Sequence, residues 1–253
     1  MTGPVFQAGV VHNVTLNYQT GPVATPASLT GQVPAAGALG AKVPRTREEL
    51  TKTREAMPNL WEYLLLAGEL CVGLKGLESK RFDYNLGHRD SGRVLLDEDG
   101  ATAHLVGAFS EMQQIVSGAE RWLSQDAQHK ALGPPGTPGD PELIGHLAGR
   151  LLGVYESLID WAVDLRSERP PAHMLRLFEL ASLYPRASIK GFESFVETLV
   201  EETDRASAAL ARQDGGVATI TVTYVMTIDP DVTKQFEKEK RNVRKGRKGA
   251  AWF

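Results

Sequence analysis

Lys234, Lys238, Arg241, Lys245 and Lys248 recur at three- and four-residue spacing near the C-terminal end, and Lys240, Arg244 and Arg247 widen the same run. A helix following the cap-like pair Asp229-Pro230 would gather these cations on one side. Such a face suits a phosphate-rich partner: a nucleic acid bound through counterion release, or an anionic membrane surface bound through its negative potential. The run also suits a solvated tail, or docking onto an acidic body. Between 234 and 248, eight Lys and Arg stand against Glu237 and Glu239, a local charge of +6; the chain totals −3, so the remainder stands at −9.

A second polar constellation, Arg81, Asp83, Asn85, His88, Arg89 and Asp90, falls in the stretch from 78 to 100. As a cleft it would suit an anionic or sugar substrate of an enzyme of unassigned class; as a solvated loop it needs no function. His88-Arg89-Asp90 has the order of the protein-kinase catalytic triplet, but Leu95 stands where the metal-binding Asn belongs and there is no glycine-rich loop, so that reading is rejected. Neither G-x-x-x-x-G-K-[ST] nor G-x-S-x-G occurs. The six histidines are scattered without a metal-ligand spacing, and Cys71 is the single cysteine, so no metal centre, disulfide framework or cofactor is implied. A reducing, cytoplasmic setting fits. The segment 1–19 lacks the basic start and apolar core of a secretory signal, and Leu60 to Leu77 carries Glu62, Glu69 and Lys75, so no membrane-spanning helix is expected.

The elements that would position these groups are mainly helical. Thr46 to Glu49 has capping-box spacing, Pro58 interrupts the helix that follows, and another helix is expected over 59–77. The stretch 78–100 reads as irregular with a short strand at 93–96, and 101–125 as a helix. The break at 133–139 precedes Asp140-Pro141, an N-cap with proline at the first helical position. Leu143, Leu147, Leu151, Val154, Leu158, Trp161 and Leu165 then form a helical stripe ended by Arg169-Pro170-Pro171. Helices over 172–183 and 188–212 follow, the second with Ile189, Phe192, Phe195, Val196, Leu199, Val200, Ala206 and Leu210 on one face. Gly145, Gly149 and Gly153 share one side of the striped helix. They predict a close approach by another backbone, either within the chain or between subunits.

Two segments alternate with a period of two: 5–19 near the N-terminus and 217–228 near the C-terminus. The expected architecture is therefore a mainly α, bundle-like body with one or two strands. Its divisions are an N-terminal strand (1–19), a Pro/Gly/Ala-rich linker (20–45), a helical body (46–212), a strand (213–229) and a basic helix with tail (230–253).

The N-terminal segment is uncharged and combines β-branched residues with Gln and Asn, a composition that favours stacked cross-β assembly. On Val5, Phe6, Gln7, Gly9, Asn13 and Val14 it resembles the amyloid signalling motifs of the RHIM-like class, whose core is aliphatic-Gln-x-Gly followed by Asn and β-branched residues; Phe6 replaces the usual aliphatic residue. The resemblance spans about residues 4–19 and implies self-association with its own kind, or with a protein bearing a matching motif, in a bacterial defence or signalling pathway. A tether suits this reading, because strands stack every 4.8 Å or so while a body of about 200 residues has a radius of gyration near 17 Å. As a coil, the 26 residues from Thr20 to Arg45 would span roughly 28 Å. Alternatively the segment pairs with 217–228 in a small antiparallel sheet covering the helices. The functions that follow are a non-enzymatic interaction or effector protein, a nucleic-acid-binding regulator acting through the basic helix, or an enzyme using 78–100.

Overall fold

The computed structural model describes residues 10–18, 60–86, 94–133, 138–211, 218–226 and 230–250, with the backbone alone described at 10–18, 83–86, 125, 206–211, 218–226 and 246–250. Strand β1 (Val10–Tyr18) is followed by α1 (Leu60–Gly76), α2 (Glu78–Leu86) and the two-residue β2 (Val94–Leu95). Then come α3 (Glu98–Leu123), α4 (Gln125–Leu132), α5 (Pro141–Ser167) and β3 (Glu168–Arg169). A 3-10 turn (Ala172–Met174), α6 (Leu175–Ala181), α7 (Leu183–Ala211), β4 (Ala218–Met226) and α8 (Pro230–Ala250) complete the order. The fold is mainly α with two two-stranded sheets.

Local chemistry sets most of the boundaries. Asp97 caps α3 by accepting from the Gly100 N–H at 2.7 Å, Ser124 caps α4 by accepting from Ala127 at 3.3 Å, and Asp140 caps α5 by accepting from Glu142 at 2.9 Å. Ser124, in extended conformation, ends α3 at Leu123, two residues short of the expected 125, and caps a separate helix α4 that periodicity did not announce. Pro185 does not delay α7 to 188. It sits in the first turn, where its missing N–H and fixed φ cost nothing, and the helix begins at Leu183.

Helix α5 is the hub. Ile144, Leu147, Leu151, Val154, Leu158, Ile159, Trp161 and Leu165 are all buried, and α1, α3, α4 and α7 pack around it. Leu143, read as the first member of the stripe, is instead 44% exposed, while Ile144 beside it on the same turn is fully buried. Gly145, Gly149 and Gly153 meet no described neighbour: a Cβ at any of them would find nothing within 4 Å. The close approach within the chain occurs at Gly73 of α1 instead, where a Cβ would lie 2.0 Å from Leu152 Cδ1 of α5.

The segment leading into α5 is held from below by a buried carboxylate. Glu62 of α1 has no exposed surface, and its Oε1 accepts from the Gly139 N–H at 2.9 Å, while the Asp140 N–H donates to Ala131 O at 3.0 Å. A Cβ at Gly139 would sit 2.4 Å from Ala131 O and 2.7 Å from Leu132 C, both backbone atoms that cannot step aside cheaply. Gly139→Ala is therefore expected to lower the unfolding free energy by about 2 kcal/mol, read as a shift in urea midpoint with unchanged slope.

Burial and, secondarily, the neighbouring Glu62 raise the Tyr63 phenol from 10.0 to about 12. Unfolding frees the group to ionise at its ordinary value, so stability is untouched by Tyr63 below pH 10 and declines as the pH rises from 10 toward about 12. Urea midpoints compared at about pH 9 and about pH 11 should show a smaller drop in Tyr63→Phe than in the parent.

Candidate functional site

Helix α8 is two-faced. At 100° per residue, Val232, Phe236 and Val243 cluster within about 40° of arc, and Lys234, Lys238, Arg241, Lys245 and Lys248 cluster about 180° away. The apolar face docks. Phe236 is 4% exposed and closes an aromatic trio with Phe109 of α3 (centroids 5.2 Å apart) and Tyr184 of α7 (5.7 Å), themselves 5.4 Å apart in an edge contact. Val232 and Val243 are half-buried against the same core. Burial of the Tyr184 ring is the main reason that its phenol is raised above the ordinary value. Attachment is thus apolar rather than ionic, and it turns the cationic face outward.

That outward face is predominantly cationic. From 234 to 245 the exposed residues are Lys234, Gln235, Lys238, Arg241, Asn242, Arg244 and Lys245, while Glu237 and Glu239 are half-buried. Glu237 accepts from Lys240 at 3.2 Å, and its backbone carbonyl from Arg241 at 3.1 Å; Glu239 accepts from Asn242 at 3.1 Å. Lys234 pairs with Asp231 at 3.0 Å, one turn back. Among the described residues no carboxylate pairs with Lys238, Arg244 or Lys245. Arg247 and Lys248 lie on the helix, with side chains outside the described ones.

At the N-terminal strand, Asn13 and Val14 fall within β1, whereas Val5, Phe6, Gln7 and Gly9 lie outside the described residues. β1 pairs antiparallel with β4 over nine residues, from Val10 opposite Met226 to Tyr18 opposite Ala218, with Asn13 opposite Thr223 and Val14 opposite Val222. The register aligns like with like. Val10, His12, Val14, Leu16 and Tyr18 share rows with Met226, Tyr224, Val222, Ile220 and Ala218; Asn13, Thr15 and Asn17 share rows with Thr223, Thr221 and Thr219. β4 runs beside α7, so the sheet lies over the helical body.

The stretch 78–100 is not irregular throughout: 78–86 is helix α2 and α3 begins at Glu98, with β2 pairing parallel to β3 between them. Two of its cations, Lys80 and Arg81, engage carboxylates of neighbouring helices. Arg81 Nη2 donates to Glu193 Oε2 of α7 at 2.8 Å, and the Tyr155 hydroxyl of α5 donates to Glu193 Oε1 at 2.7 Å. Lys80 pairs with Glu156 at 2.9 Å and Asp160 at 2.6 Å. Burial, then the bond to Glu193, pushes the Tyr155 phenol far above its ordinary value. Arg81 is therefore occupied in joining three helices. Asp83 and Asn85 lie on α2 with side chains outside the described ones, and His88, Arg89 and Asp90 lie outside the described residues. Sequence reasoning missed Tyr155, Glu156, Asp160 and Glu193, since polar residues next to an apolar stripe look the same whether or not a neighbouring helix brings them a partner.

The chain matches no protein family, no curated protein and no solved structure. Among the described residues no helix is long and apolar enough to cross a membrane, and no group of three His, Cys, Asp or Glu is placed to hold a metal ion.

Replacing Phe236 by Ala should cost about 3 kcal/mol and detach α8 before the body unfolds. Limited trypsin digestion of Phe236→Ala is expected to cleave within 234–248 while the remaining helices persist, whereas the parent protein is cut there more slowly.

Proposed function

We propose that the chain is a non-enzymatic interaction or effector protein, recruited through homotypic β-assembly of its N-terminal segment in a bacterial signalling or immune pathway in the cytoplasm. The pairing of β1 with β4 is what the alternative reading expected; what supports recruitment is the composition of the two strands in that sheet. Its strands are nine residues each, contain no Asp, Glu, Lys, Arg or Pro, and are the whole of that sheet among the described residues. Edge strands of folded proteins are ordinarily guarded against further pairing by charge, proline or brevity. These strands have none of those guards. Alignment of Asn and Thr along one set of rows adds the side-chain ladders that stabilise stacked strands. The resemblance of Val5, Phe6, Gln7, Gly9, Asn13 and Val14 to RHIM-like motifs supplies the recruitment logic. The single thiol, Cys71, suits a reducing compartment.

The test uses the full chain beside a Gln7→Asp/Gly9→Asp form, followed by thioflavin T fluorescence and fibre diffraction. The parent should form fibres with a meridional repeat of about 4.8 Å, and the double variant should remain dispersed with the same helical circular dichroism. A parent that stays monomeric, or a double variant that assembles equally well, overturns the proposal.

A further inference from the structure

We infer that helix α8 is a nucleic-acid docking surface that grips the phosphate backbone without reading sequence. The inference is independent of strand assembly and rests on the division of faces along α8. Phe236, Val232 and Val243 are committed to the core, so the helix has no described apolar face left to enter a lipid surface. The fully exposed residues from 234 to 245 are Lys, Arg, Gln and Asn, with the part-exposed Glu237 on the flank paired to Lys240. Amphipathic membrane helices bury an apolar side and leave their cations at the headgroups; here the apolar side is already buried in protein.

The geometry matches a polyanion. The cations from Lys234 to Lys248 span about 21 Å of helix axis, a length over which duplex DNA presents roughly twelve phosphates. Lys234, Lys238, Arg241 and Lys245 follow one another at rises of about 4.5 to 6 Å, so each can reach a different phosphate. Gln235 and Asn242, exposed among them, add neutral donors to phosphate or sugar oxygens. The remainder of the chain is acidic, which confines an incoming phosphate backbone to this helix.

The proposal is tested by fluorescence anisotropy of a labelled DNA duplex of about 20 base pairs, titrated with full-length protein carrying Gln7→Asp/Gly9→Asp so that strand assembly does not contribute. With five exposed cations engaged, log K should fall against log salt with a slope of roughly −4.5, a loss of a few hundredfold between about 50 and about 200 mM salt. Adding Lys238→Gln/Arg244→Gln/Lys245→Gln, at exposed positions that leave Phe236 in place, should make the slope shallower by roughly 2.7, and a scrambled duplex should bind as well as the original. The inference is overturned if the duplex does not bind at low salt, or if the triple variant with native circular dichroism keeps the parent slope. It is also overturned if the protein prefers phosphatidylcholine–phosphatidylserine vesicles while leaving the duplex free.

Discussion

Helix α5 buries eleven side chains within 27 residues, and no single neighbour can cover them. A stripe that wide demands partners on several sides, and α1, α3, α4 and α7 are held where they are because each covers a different sector. Trp161 shows how strongly apolar coverage is favoured at this centre: its ring is fully buried, and its indole N–H has no acceptor among the described residues, a cost of about 1–3 kcal/mol. The aromatic trio extends the same core outward. Phe109 of α3 and Tyr184 of α7 stand in position only because α5 fixes their helices, and they create the seat that Phe236 fills.

Where packing follows an apolar period, sequence and structure agree closely. The stripe of α5, the inward face of α7 from Ile189 to Val200, the Asp140-Pro141 start and the two alternating strands all follow from periodicity and caps. Helix α2 escaped that reading because it is held by its cations. Lys80 and Arg81 point at Glu156, Asp160 and Glu193, while Phe82 is 61% exposed. An inverted helix has no apolar stripe to detect. Spacing announces which residues share a face, and only the third dimension says whether a neighbour is there: within the chain no described residue approaches Gly145, Gly149 or Gly153. Gly73, with no spacing signal, is the one that admits Leu152. On α8 the cationic run was plain in the sequence, whereas the engagement of Glu237 by Lys240 and of Glu239 by Asn242 depended on which face Phe236 anchors.

The Arg81–Glu193–Tyr155 cluster shows a different balance. Arg81 and Glu193 are both partly exposed, so their attraction is screened and adds little to stability. Its worth lies in direction. A planar guanidinium and a carboxylate that also accepts from a phenol fix the rotation of α2 against α5 and α7, which apolar contacts alone leave loosely specified.

Pairing of β1 with β4 joins the two ends of the chain, and loop-closure entropy orders the events. In an unfolded chain the pairing of Tyr18 with Ala218 encloses about 200 residues, among them every described helix from α1 to α7. Since closure cost grows as the logarithm of loop length, helices that have already folded shorten the loop the pairing must close and so ease it. The sheet is therefore the late step in folding and the early step in opening. A strand that arrives last can leave without disturbing the core on which it rests, and that separability is what the proposed recruitment through β1 requires.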